Sequence, residues 1–170
     1  MKLTEFFLSQ LESEGAKTRR AIEGVPDGKD DWKPHDKSMA FGRLVALVAG
    51  MPGWVAMIVN DDSLDLSPPG GGADYTPPSM KTSADRVAVV DGGLAKARAA
   101  LQAVNDDHLM KTWKLLVAGN TVSADPRHVV LRDTFGHMAH HRGQLTTYLR
   151  IAGAKVPAIY GPSADDNRFD

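Results

Sequence analysis

The run His137-Met138-Ala139-His140-His141-Arg142-Gly143-Gln144-Leu145 decides how this chain is read. In a helix of 3.6 residues per turn, positions i and i+4 stack with their Cβ atoms about 5–6 Å apart. His137 and His141 can therefore share one ion, whereas His140 is rotated by about 60° from His137 toward the helix edge. A divalent ion such as zinc takes neutral imidazole nitrogens at roughly 2.0–2.1 Å, and two rings on one helical face reach a common point without bending the backbone. The residues alone leave a second reading open, an ordinary pair of buried or edge histidines. With six histidines in 170 residues, an i,i+4 pair arises by chance about 0.2 times per chain.

Around this run, Leu131, Thr134, Met138, Leu145, Leu149 and Ala152 recur at three- and four-residue steps. That period predicts an amphipathic helix from near Pro126, a first-turn position suited to proline, to Gly153. His141 falls inside the apolar stripe. His137 falls on its flank with Gln144 and Tyr148, and Arg132, Arg142 and Arg150 lie outside it or at its margin. The histidine pair is thus predicted to be buried or to line a cavity. Arg142 and Gln144 are read as polar ties to neighbouring loops, with orientation of a ligand or metal site as the alternative. Asp133 is read as a solvated first-turn carboxylate, with a hydrogen bond to a histidine ring as the alternative. Tyr148 and Tyr160 are read as tyrosines whose hydroxyls are satisfied internally.

Upstream, Phe6, Phe7, Leu11 and Ile22 predict a first helix over about Thr4 to Ile22, closed by Gly24-Val25-Pro26. A second helix is expected from an N-cap at Ser38 to about Asn60, bent at Pro52-Gly53, with Ala40, Leu44, Leu47, Val48, Met51, Val55 and Ile58 as its apolar stripe. Leu47 and Met51 read as core. A third helix is expected over Ser83 to Val104, weakened at Gly92-Gly93. The Pro- and Gly-rich segment 61–79 is expected to be an irregular excursion over the bundle mouth. Residues 107–123 are expected to be irregular or briefly extended, packing through Trp113, Leu115, Leu116 and Val117. The tail from Lys155 to Asp170 should fold back on the bundle.

The stretch from His137 through Arg150, Gly153 and Val156-Pro157-Ala158-Ile159-Tyr160-Gly161 closely resembles the C-terminal helix and tail of the DinB-like (DinB/YfiT) family. A second block, Trp32-Lys33-Pro34-His35-Asp36-Lys37-Ser38-Met39 followed by Gly42-Arg43-Leu44 and Pro52-Gly53-Trp54, resembles that family's loop and second helix. The two blocks cover about a third of the chain, and their order implies one DinB-like domain over residues 1–170. The resemblance implies an all-α fold, a four-helix bundle with long loops and a C-terminal tail packed on it. It also implies a divalent metal, zinc or nickel, held by three histidines, two of them at His137 and His141. The third belongs to the second helix at a position where this chain has Leu47. No His, Asp or Glu lies between Phe41 and Val59, and Asp61 stands about 21 Å further along the helix, too far to substitute. The resemblance further implies a metal-dependent transferase or isomerase acting on a small-molecule substrate with a thiol cosubstrate. The alternative is a non-catalytic bundle, its site closed by Leu47, that binds a small ligand or self-associates. A homodimer is expected.

Composition bounds these readings. A formal net charge of −1 gives no basic face for nucleic acid. The absence of cysteine removes disulfides, thiolate metal sites and a protein thiol nucleophile, so any thiol must come from outside. Residues 1–10 lack the basic and long apolar segments of a signal peptide, and Phe41 to Val59 is interrupted by Arg43 and Pro52-Gly53. A cytoplasmic protein without a membrane span is the expectation.

Overall fold

Helices form where the apolar residues recur every three to four positions: α1 (Leu3–Glu23), α2 (Phe41–Asn60), α3 (Ser83–Ala103), the four-residue α4 (Asp106–Leu109) and α5 (Arg127–Ile151). These come from a computed structural model, which describes residues 1–68, 70 and 80–168. The four long helices pack as a bundle, and its core runs from Phe7, Leu11, Met51, Leu101, Leu131 and Met138 at one end to Ile22, Phe41, Leu44, Leu145 and Leu149 at the other.

Cross-helix contacts give the directions. Phe7 stacks on Phe135 and Arg142 bonds Glu14 and Thr18, so α1 and α5 run parallel. Arg19 pairs with Asp91 and Arg98 with Glu12, so α3 runs against α1. Tyr148 bonds Met39 while Arg127 bonds Ile58, so α2 runs against α5. It follows that α2 and α3 are parallel. The main packing pairs are α2 with α3, α1 with α3, α2 with α5 and α1 with α5. Helices α1 and α2 therefore face one another across a diagonal, as do α3 and α5.

A parallel α2–α3 pair requires the chain to return along the helix, a distance of about 30 Å for 20 residues. This is the physical reason that the connection 61–82 is long. Of the segment expected to be irregular, Ser63–Asp65 forms a strand, β1, while residues 69 and 71–79 lie outside the described residues. The two helices approach closely at glycines. A Cβ on Gly93 would sit 2.9 Å from the Gly53 backbone nitrogen, so Gly93 serves close contact in an unbroken helix.

The segment between α4 and α5 is more regular than its composition suggests. Strands β2 (Thr112–Val117) and β3 (Asn120–Pro126) form an antiparallel hairpin, and β1 adds to β2 in parallel. The turn residues Ala118 and Gly119 both have positive φ, 51° and 79°, the signature of a type I′ hairpin turn. Trp113 is buried, and Leu115 and Leu116 are half-buried as expected, whereas Val117 is exposed at the strand end.

Two helix starts are satisfied from a distance. Ala40, not Ser38, occupies the α2 N-cap. The first amides of that helix donate to loop carbonyls instead, Phe41 to Trp32 and Gly42 to Asp30, so no capping side chain is needed. At α1, the Asp106 carboxylate accepts from the backbone amides of Leu3 and Thr4, at 2.9 and 3.1 Å. These bonds, Leu3 first, hold its pKa below the usual carboxylate range. Arg127 at the start of α5 is 1% exposed and donates to the carbonyls of Ile58, Asp61, Lys111 and Thr112 and to the Asp62 carboxylate. One guanidinium thus ties the C-terminal end of α2, the sheet and α5 together.

Helix α2 is long and apolar enough to cross a membrane by length and composition, contrary to the expectation that Arg43 and Pro52-Gly53 would interrupt it. It runs unbroken through Pro52, and most of that surface is buried against the rest of the bundle, which is why a core helix here is so apolar.

Candidate metal centre

Both histidines project from the middle of α5, where the helix packs on α2. Their rings lie 4.5 Å apart between centroids, and the two Nε2 atoms converge to 2.7 Å. His141 is half-buried, whereas His137 is exposed as a residue yet lines a cavity. The other nitrogen of His141, Nδ1, lies 2.7 Å from Gln144 Oε1. A carboxamide oxygen only accepts, so His141 carries its proton on Nδ1 and presents a lone pair at Nε2. His137 Nε2–H then donates into that lone pair. Burial pushes the His137 pKa down, and His141 and then His140 add to this by charge repulsion, which favours the neutral ring that a metal ligand must be.

The donor set can be tested against an ion. Tetrahedral zinc at about 2.0–2.1 Å from each nitrogen would separate the two Nε2 atoms by about 3.3–3.4 Å, a small rotation of each ring from the 2.7 Å seen. Two ligands therefore fit. A third is not supplied by Leu47, the residue at which the resemblance expects it, which is half-buried against the core and carries no donor atom. Its setting follows from its neighbours on α2, since Leu44 lines a cleft with His141 and Trp54, two turns beyond Leu47, packs 5.8 Å from the His137 ring. Among the described residues no group of three His, Cys, Asp or Glu side chains could hold an ion.

The remaining candidates divide clearly. Met51 is fully buried core. Asp133 pairs with the exposed Arg132 and does not support the histidines. His35 is an exposed loop residue whose Nδ1 accepts from the Lys37 amide. His108 and His128 bond the Val59 and Leu109 carbonyls and are structural. Tyr148 donates to Met39 at 3.0 Å and closes an aromatic cluster with Trp32 and Phe41, which explains the packing of the Trp32–Met39 loop.

Arg142 departs from its expected marginal position. It is 1% exposed and bonds the Glu14 backbone and carboxylate, Thr18 and Tyr160. The reason is that α5 is covered on two sides, by α2 through the histidine face and by α1 through this one. Tyr160 in turn donates to Glu14 at 2.8 Å, and Arg20 donates to Ala158, so the tail does fold back on the bundle. Gln144, expected to tie α5 to a loop, instead orients His141. The sequence reading also missed the buried Arg86 and Arg127; Arg86 holds the α1–α2 loop through Val25 and Asp27.

The histidine pair sits between two openings. On the His137 side is an apolar cavity of about 290 Å³, walled by Trp54, Met57, Leu64, Trp113 and Leu115. On the His141 side is a cleft of about 450 Å³ that includes Lys37, Ser38, Gln144 and Thr147. Strands β1 and β2, outside the bundle itself, thus supply one wall of the site.

Comparison with known proteins agrees with this architecture. The chain is similar to the uncharacterized protein YrdA of Bacillus subtilis, 27% identical over 165 residues that cover 95% of this chain and 90% of that one. Its fold is similar to that of a DinB-like protein from Bacillus cereus, with a TM-score of 0.68 at 21% identity, covering 92% of this chain and 97% of the other. It is also similar to YfiT from Bacillus subtilis, described as a probable metal-dependent hydrolase with an unusual four-helix bundle topology, with a TM-score of 0.61 at 15% identity over 88% and 87% of the two chains. The DinB family model matches residues 2–168, and the chain belongs to that family.

Proposed function

We propose that this protein is a metal-dependent enzyme in which His137 and His141 hold a divalent ion, zinc or nickel, for attack of water or a small-molecule thiol on a small substrate. The observation that carries the reading is the convergence of the two Nε2 atoms with His141 Nδ1 held by Gln144. The description of YfiT as a probable metal-dependent hydrolase supports it. A bound ion supplies Lewis acidity that makes water or a thiol nucleophilic near neutral pH. The chain's own residues do the rest. Gln144 fixes the His141 tautomer, Trp54 packs against the His137 ring, and the two openings give separate approaches to the pair. A thiol cosubstrate fits the more polar cleft, where Lys37 can meet an anionic group.

With Leu47 in the third position, the expected affinity is lower than that of a three-histidine site. Elemental analysis of untagged protein after zinc or nickel loading is expected to show near-stoichiometric metal, lost on His141→Ala with the helical spectrum unchanged. Leu47→His is expected to raise affinity at least about tenfold, a gain of about 1.4 kcal/mol. Protein that takes up no metal in either form would instead support a bundle that binds a ligand without catalysis.

A further inference from the structure

Two imidazoles converge on α5, and among the described residues no third donor of the same chain joins them. Zinc in a catalytic site is held by three protein ligands, with the fourth position left to water or substrate. A third imidazole is nevertheless close. His140 stands edge-on to His141 with ring centroids 5.0 Å apart, is exposed, and makes no hydrogen bond among the described residues. It is rotated by about 60° from His137 around the helix, so it faces outward and does not converge with the pair.

The ridge of α5 that carries His140 is bare. Gly136, His137, His140, Gly143, Gln144 and Thr147 are all exposed, and none is an Asp, Glu, Lys or Arg. Depletion of those four residue types marks the centre of protein interfaces. A Cβ added at Gly136 or Gly143, one turn to either side of His140, would meet nothing within 4 Å. A second helix can therefore approach this backbone closely on both sides of the ring. A formal net charge of −1 gives two copies little mutual repulsion.

We propose that the third ligand of the ion is His140 of a second copy of this chain. In a two-fold contact each copy gives the other what it receives. Two copies of α5 packed antiparallel across this ridge turn both histidine pairs to the same side of the contact and set each His140 toward the other copy's pair. The dimer then holds two equivalent ions, one per chain, each with a free coordination position. The inference rests on the metal reading and adds to it a ligand that one chain alone does not hold.

The test uses full-length untagged protein, stripped with EDTA and titrated with zinc against a chelating dye. By analytical ultracentrifugation the zinc-loaded native chain is expected at twice the 18.3 kDa of one chain. His140→Ala is expected to weaken zinc at least about tenfold with the helical spectrum unchanged, the lower bound being what is lost with a partner that merely orients a ligand. The decisive arm combines two variants, His140→Ala, which keeps the pair, and the double variant His137→Ala/His141→Ala, which keeps His140. Neither alone is expected to bind zinc tightly. Co-expressed, they should regain native affinity at up to about one ion per two chains, because only the mixed dimer unites a pair with a third imidazole. Zinc held by the native chain as a monomer overturns the inference and keeps the metal reading. Native affinity in His140→Ala, or no recovery in the co-expressed variants, does the same. No zinc uptake by the native chain overturns both.

Discussion

Gln144 determines which nitrogen of His141 is free, because its Oε1 accepts from Nδ1 and leaves the Nε2 lone pair facing His137. Partners of this kind fix the tautomer and orientation of a ligating imidazole. Gln144→Leu is therefore expected to weaken zinc affinity about 10–100-fold, measured by competition with a chelating dye. Gln144 is exposed, so folding stability should not change; equal zinc affinity in the variant would show that the hydrogen bond does not prepare the site. At this scale the i,i+4 geometry was legible from spacing alone, whereas Leu47 stands out only through the family resemblance, which expects a third ligand there. The partners of Arg142, and the choice between the two readings of Gln144, were not legible in the sequence. Which side of α5 faces α1 depends on a partner, Glu14, 128 residues away, and single polar residues on a helix carry no periodic signal.

The hairpin of β2 and β3 shows the same limit among elements. A type I′ turn needs positive φ at both central residues, for which Asn-Gly is the usual sequence signal. Here Ala118 takes the first of those positions at φ 51°, a left-handed conformation disfavoured by about 1–2 kcal/mol for a residue with a Cβ and no local hydrogen bond. The turn is consequently hidden in the sequence. Ala118→Asn is expected to stabilise the protein by about 0.5–1 kcal/mol, seen as a melting temperature raised by about 2–4 °C. An unchanged or lower melting temperature would mean that the turn is held by its surroundings, such as the bond from the Gly119 amide to Asp65. The long helices, by contrast, were legible to within a few residues, because their apolar periods are set by packing on the bundle. The three-residue β1 is too short to show a period, and its pairing is with a strand about 50 residues distant.

At the scale of the molecule, Glu14 joins three parts of the fold, since it accepts from Arg142 of α5, from Tyr160 of the tail and from Lys17 of its own helix. Burial alone would raise its pKa, but the hydrogen bonds from Lys17, Arg142 and Tyr160 outweigh this and leave it below the usual carboxylate value. A carboxyl held low in the folded state binds fewer protons there than in the unfolded chain. Its contribution is thus complete above the unfolded value of about 4.3 and is lost as pH falls through the lower folded value. Glu14→Gln is expected to cost about 3 kcal/mol at neutral pH, by leaving Arg142 buried without its counter-charge. It should also flatten the loss of stability below about pH 4, as followed by urea midpoints across that range. A variant with the native acid profile would remove Glu14 from this role.

The diagonal placement of α1 opposite α2 and of α3 opposite α5 has a consequence for how the protein is made. Both imidazoles and the Gln144 carboxamide that holds one of them lie on the last long helix, whereas Trp54, which packs on the other, lies on the second, so the walls around the pair are complete only once α5 has docked. Completion of the bundle and enclosure of the histidine pair are thus one event during synthesis, and a chain interrupted before that helix lacks both.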